Sequence, residues 1–243
     1  MPPSLIKNLI STADAADSRL HRPIRSFVRR EGRMTDAQRR ALEDFGPRYL
    51  IEFQEVPLDL DAVFGRAAPR ALEIGFGMGD SVLDMARRHP ERDHLGIEVH
   101  RPGVGRLLRA LAEEDIRNVR IVCADAVQVL RCMIPDAVLD AVFLFFPDPW
   151  HKKRHHKRRI VQPEFVELVA RRLRPGGIFH LATDWEDYAR HMLAVLEQSP
   201  SFSNSAGAGH FAPRPDDRVL TKFERRGERL GHGVWDLVFV KTE

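Results

Sequence analysis

The chain has 243 residues, with 38 Lys/Arg against 35 Asp/Glu for a net charge of +3; 43% are hydrophobic and 30% charged. That is the composition of a soluble globular protein with room for one or two domains, and basic character can matter only where it is clustered. Two cysteines, Cys123 and Cys132, exclude a disulfide framework, show no metal-ligand spacing and are expected as buried, reduced thiols.

Residues 1–47 read as a basic, partly disordered arm. Arg19, Arg22, Arg25, Arg29, Arg30 and Arg33 are scattered through it among few apolar anchors. A short helix is predicted over 35–45, ended by Gly46-Pro47. From residue 70 strands and helices alternate: strand 70–74, helix 81–88, strand 94–98, helix 103–114, strand 119–124, helix 126–133 and strand 141–146. Helix 163–173 follows, stopped by Arg174-Pro175-Gly176-Gly177, then strand 178–182 and helix 185–198. Residues 204–215 read as loop, and 234–240 as a final antiparallel strand. Repeated β–α alternation predicts an α/β, doubly wound, mostly parallel sheet covered by helices, here one domain over 48–243. No apolar run approaches membrane-spanning length, and the first residues lack the apolar centre of a signal peptide. The expected location is therefore the cytoplasm, with no membrane partner and no metal.

Three kinds of residue point to chemistry. Glu73-Ile74-Gly75-Phe76-Gly77-Met78-Gly79-Asp80 closes the first long strand and opens a helix, so its glycines permit a tight turn and close ligand approach. A dinucleotide fingerprint wants a glycine where Asp80 stands, which counts against a nicotinamide oxidoreductase. Glu98 and Asp125 end the next two strands, where carboxylates reach a ribose and the region of an adenine. Three acids at successive strand ends beside a glycine turn describe a pocket for an adenosine-bearing cofactor without a pyrophosphate. Finally, the apolar strand 141–146 runs into Pro147-Asp148-Pro149-Trp150, followed by six Lys/Arg and three His within nine residues. An acid and a polyanion-binding surface thus stand together at the carboxyl end of a parallel strand, which points to chemistry on nucleic acid. Trp150 reads equally as a base-stacking ring or as a plug on the core.

The chain resembles a class I S-adenosylmethionine-dependent methyltransferase and, more narrowly, the bacterial tRNA (guanine-N7)-methyltransferases. The matching segments are Arg25-Ser26-Phe27-Val28-Arg29-Arg30, Leu72 through Gly77, Gly96-Ile97-Glu98-Val99-His100, Phe146 through Lys152, Ala182-Thr183-Asp184-Trp185, and Thr221 through Gly227. The resemblance implies a seven-stranded Rossmann-like sheet, S-adenosyl-L-methionine as cofactor, and tRNA as partner of a monomer or homodimer. It places the cofactor on Glu73, Gly75, Gly77, Gly79, Glu98, Asp125 and Asp148, and the substrate on Lys152, Asp184, Thr221, Lys222, Phe223 and Glu224. Asp148 is the implied active-site residue, and the implied reaction is methylation of a guanine in the variable loop. Lys153, Arg154, Lys157, Arg158 and Arg159 are the expected phosphate contacts. Glu224 has a second reading as an ion-pair partner of Arg225 or Arg226. Two rivals remain at this point: an amino-methylating nucleic-acid enzyme, whose Asp/Asn-Pro-Pro-aromatic motif Asp148-Pro149-Trp150 partly matches, and a non-catalytic RNA-binding module with a relic pocket. Whether Asp148 binds cofactor, orients guanine or stabilises charge stays open.

Overall fold

The structure, a computed structural model, describes residues 33–216, 218, 219, 224 and 233–243. Most of the basic arm, the arginine segment 25–30 and Thr221, Lys222, Phe223, Arg225 and Arg226 lie outside them. The helix at the end of the arm is α1 (Asp36–Tyr49), opened by a Thr35–Gln38 capping box. It does not stop at Gly46-Pro47 as expected but runs through them. Tyr49 is fully buried and donates to the Ile116 carbonyl at 2.9 Å, so tertiary anchoring holds the last turn that Pro47 would weaken.

Then come β1 (Leu50–Ile51), α2 (Leu60–Phe64), β2 (Arg70–Ile74), α3 (Asp80–Arg88), β3 (Asp93–Ile97), α4 (Arg101–Glu113), β4 (Val119–Val122), α5 (Ala126–Cys132) and β5 (Leu139–Phe145). A 3-10 helix (Lys153–Arg158) precedes α6 (Pro163–Arg172), β6 (Leu173–Thr183), α7 (Glu186–Glu197), β7 (Phe202–Asn204) and β8 (Trp235–Lys241). The sheet order is β1-β4-β3-β2-β5-β6-β8-β7, with β8 antiparallel to both β6 and β7 and every other pair parallel. Eight strands stand where the resemblance implies seven; the residue pattern placed six of them, missing the two-residue β1 on β4 and the three-residue β7 on β8, both at sheet edges. The 204–215 stretch is loop as predicted apart from Asn204, which closes β7, and Ala212, which forms an isolated antiparallel bridge to Asp236.

One face of the sheet packs Leu72, Ile97, Val142 and Leu181 against α5, α6 and α7. The α1/α3/α4 layer closes over the other face through Ala41, Val82, Leu107, Leu108 and Ile121. Strand β3 is buried at every residue, as a central strand covered on both faces must be. Cys123, expected buried, is exposed because β4 ends one residue before it. Asp140 on β5 is nearly buried and accepts from the Arg70 backbone N–H at 2.5 Å. Among the described residues no helix is long and apolar enough to cross a membrane.

The chain runs outward β2–β3–β4 on one side and β5–β6 on the other, so neighbours β2 and β5 flank the topological switch point. The crevice beyond their carboxyl ends is where such sheets bind ligands. Glu73 through Gly79 and Phe146 through Trp150 leave the sheet at that place.

Candidate active site

Gly75, Gly77 and Gly79 have φ of 72°, 58° and 81°, left-handed values that any side chain resists. A Cβ on Gly75 or Gly77 would meet nothing within 4 Å, so the space above the turn is open; on Gly79 it would strike Leu107 at 2.8 Å. Asp80, the departure from a dinucleotide fingerprint, opens α3 and pairs with Arg106 of α4 at 2.5 Å.

The acids at the strand ends differ in environment. Glu98 is buried and accepts backbone N–H bonds from Gly77 at 2.7 Å, Val99 at 2.7 Å and His100 at 2.9 Å, so it staples the glycine turn to the end of β3. Asp125 is half-buried and caps α5 by accepting from Gln128 N–H at 3.0 Å, leaving its other oxygen outside that cap. Glu73 is 4% exposed; Ser81 donates to its Oε1, while Oε2 is buried and has no hydrogen-bond partner among the described residues. A buried carboxylate oxygen left this way is open to a donor that those residues do not supply. Open space over the glycines, an orphaned acceptor beneath them and acids on the next two strands fit a polar, adenosine-bearing cofactor.

Burial pushes the Glu73 carboxyl up to about 7, with the nearby Glu98 charge adding to the rise and the Ser81 hydroxyl opposing it. A carboxyl raised on folding contributes stability that is complete below its unfolded value, near 4.5, and is lost as pH climbs through 7. In cofactor-free protein, Glu73→Gln removes that titration. Its stability relative to the parent is therefore expected to improve by about 1.4 kcal/mol per pH unit across the window, then level off. Denaturant unfolding at pH 5 through 8 checks this; a pH-independent difference refutes the raised carboxyl.

On the other side of the switch point, Asp148 is exposed between two prolines. The loop is bent at both flanks: Phe146 and Trp150 have φ of 50° and 48°, a left-handed conformation costing non-glycine residues about 1–3 kcal/mol each. Such outliers persist only when surroundings over-determine them. Here Phe146 N–H donates to the Ala182 carbonyl at 2.8 Å, and the Arg218 guanidinium lies 5.9 Å from the Phe146 ring centroid. Trp150 sits under Arg158 at 4.6 Å, with His155 edge-on at 5.9 Å. Neither the stacking nor the plug reading of Trp150 anticipated this basic cover.

Asp184, at the end of β6, is exposed, and its neighbour Trp185 lies edge-on to His151 at 4.2 Å. The loops after β5 and β6 therefore touch, bringing Asp148, Lys152 and Asp184 to one rim. Lys152, Lys153, Arg154 and Lys157 are exposed along that rim and the 3-10 helix. Arg159, expected as a phosphate contact, is corrected: its side chain is 1% exposed and faces the protein interior.

Glu224 is also turned inward rather than toward a substrate. Both of its oxygens accept from Arg218, at 2.6 and 2.8 Å. The ion-pair reading thus holds, with Arg218 as the partner among the described residues. Arg218 also donates to Asp236 at 3.0 Å, and Asp236 meets His180 at 2.8 Å, giving a buried chain of polar side chains beneath the strained loop. Arg218, Asp236 and His180 were not singled out from sequence, because nothing local marks an arginine in a loop as the partner of a strand residue 18 positions away. Among the described residues no cluster of three His, Cys, Asp or Glu could hold a metal ion.

Residues 67–237 match the protein family described as putative methyltransferase. A tRNA (guanine-N(7)-)-methyltransferase of Pseudomonas putida (strain W619) is 59% identical over 226 residues, covering 93% of this chain and 94% of the relative. One from Sodalis glossinidius (strain morsitans) is 57% identical over 235 residues, covering 97% and 98%. Among solved structures, the 16S rRNA methyltransferase KamB superposes with a TM-score of 0.54 at 16% identity, covering 87% of this chain and 96% of its own. At that identity the likeness speaks for the fold alone.

Proposed function

The chain belongs to the tRNA (guanine-N(7)-)-methyltransferase family, and from that membership we propose how its own residues perform the reaction. It methylates N7 of guanine in tRNA. When bound, S-adenosylmethionine supplies an electrophilic methyl group carried on a sulfonium. Glu73, Glu98 and Asp125, with the turn through Gly75, Gly77 and Gly79, hold it at the carboxyl ends of β2, β3 and β4.

Guanine N7 presents a lone pair in the ring plane and loses no proton on attack, so the site has no need of a strong base. Its work is alignment, together with stabilisation of the positive charge that appears on the purine. Asp148 is an exposed carboxylate in the loop after β5 and serves that charge; the pairing of β5 with β2, the strand that leads into the glycine turn, is the observation that carries this reading. Asp184 on the adjoining loop accepts hydrogen bonds from the N1 and N2 hydrogens of guanine, which phosphate contacts cannot supply. Thr221, Lys222 and Phe223 complete the substrate side on the strength of the family resemblance. Glu224 itself is spent on Arg218. Target in the variable loop, a cytoplasmic location and a monomeric or homodimeric state belong to the same proposal.

The test is transfer of labelled methyl from S-adenosylmethionine to tRNA lacking the modification, followed by nucleoside and fragment analysis. Label in 7-methylguanosine of the variable loop is the expected result; label in another nucleoside or region overturns the assignment.

The basic run adds affinity. Replacing Lys152, Lys153 and Arg154 together by Ala is expected to flatten the logarithmic salt dependence of tRNA binding by about 2 units. Titrations at several salt concentrations check it; an unchanged slope would reduce the run to a solvated loop.

A further inference from the structure

The loop carrying Asp148 is strained at both ends, and the last residue of the basic run is spent on holding it. Arg159 donates from Nε to the Pro149 carbonyl at 3.0 Å and from Nη2 to Asp187 in the first turn of α7. The same nitrogen lies 3.1 Å from His156 Nε2, and the guanidinium plane sits 4.8 Å over the buried Tyr188 ring. The Arg159 side chain is 1% exposed, whereas its partner Asp187 is 63% exposed. A phosphate could reach this guanidinium only after it had left all four contacts. The segment from Pro149 to Arg159 is in effect a closed loop, with the 3-10 helix on its outside and Arg159 as the clasp.

We propose that Arg159 is a positioning residue for Asp148: by fixing the Pro149 carbonyl and tying it to α7, it sets the carboxylate one residue away. The inference rests on the reading of Asp148 given above. Through this clasp the element that meets tRNA phosphates and the loop that meets the reacting base are one unit, because Arg158 also covers Trp150. Lysine cannot replace the clasp, since a point charge does not present the fork that reaches a carbonyl and a carboxylate together.

The experiment uses the full chain and three variants: Arg159→Lys, Asp187→Asn and Asp148→Ala. Read-outs are the single-turnover rate at saturating tRNA and S-adenosylmethionine, the salt dependence of tRNA binding, and the melting temperature. Arg159→Lys is expected to lower the rate by about 30-fold, the scale of a misplaced reacting group, with an unchanged salt slope. Asp187→Asn removes only the exposed partner's charge and stays folded. It lowers the rate by about 3- to 5-fold with the slope again unchanged, so the clasp is still tested if Arg159→Lys does not fold. A parental saturating rate with a shallower slope would make Arg159 a phosphate contact, and a lowered melting temperature with a parental rate would make it merely structural; either overturns the proposal. If Asp148→Ala turns over at the parental rate, the reading of Asp148 fails and takes this inference with it. If Asp148→Ala is inactive while Arg159→Lys and Asp187→Asn are not impaired, the positioning role alone fails.

Discussion

Asp148→Ala is expected to lower methyl transfer at saturating substrates by about 10²- to 10³-fold, the usual cost of deleting a preorganised charge-stabilising group. Affinity for tRNA should stay within about three-fold, because phosphate contacts usually carry most of the affinity for nucleic acid and a carboxylate makes none of them. The physical reason lies in the reaction. No proton leaves N7, so losing the carboxylate removes no base; it removes a negative charge beside a ring that becomes cationic in the transition state. Asp148→Asn separates orienting guanine from stabilising charge, since it keeps the acceptor and the shape but not the charge. Recovery of most of the rate by Asn would assign Asp148 to orienting guanine, while failure of both variants assigns it to charge. Single-turnover rates with the tRNA affinity measured in parallel decide the matter, and parental turnover by Asp148→Ala would sink the assignment altogether.

The second large effect is expected at a residue that touches neither base nor phosphate. Gly103 lies in the first turn of α4, which packs directly on the glycine turn. A Cβ there would fall inside contact distance of the Gly77 carbonyl oxygen and 2.9 Å from its carbonyl carbon. Both obstacles are backbone, so no rotamer relieves them. Either α4 moves off the sheet, disturbing the Leu107 and Leu108 packing, or the turn yields and Glu98 loses its bond to Gly77 N–H. Gly103→Ala is therefore expected to destabilise the protein by about 1–3 kcal/mol through overpacking. It should also weaken S-adenosylmethionine binding by at least about ten-fold through loss of the staple's hydrogen bonds to a charged group. Denaturant unfolding and cofactor titration measure these separately; parental behaviour in both would show that the contact between α4 and the turn is looser than described.

Much of the site can be read in the chain because its chemistry is carried by short contiguous segments. The glycine turn needs left-handed backbone at three positions, and only glycine adopts it freely. Glu98 and Asp125 follow strands whose β–α alternation is plain in the residue pattern. Asp148 stands at the end of a run of six apolar residues, where a parallel sheet exposes its strand ends. Even Pro47, which misled the placement of the α1 terminus, was misread for a reason outside its own neighbourhood: Tyr49 is anchored to Ile116, 67 residues along the chain.

What residue order alone determined, then, is everything local in origin: the alternating elements, the turn that only glycines can make, the acids at strand ends and the clustering of positive charge. Which of those charges faces solvent was decided by the tertiary structure. Arg158 and Arg159 are adjacent and identical in type, yet one covers Trp150 at the surface while the other is buried beneath Pro149. Glu224 found Arg218, and Arg218 found Asp236 on β8, a pairing that exists because the antiparallel strand returns alongside β6. A long side chain is indifferent to burial until a partner desolvated with it makes burial favourable. That partner is supplied by packing between elements distant in sequence, and no local pattern encodes it.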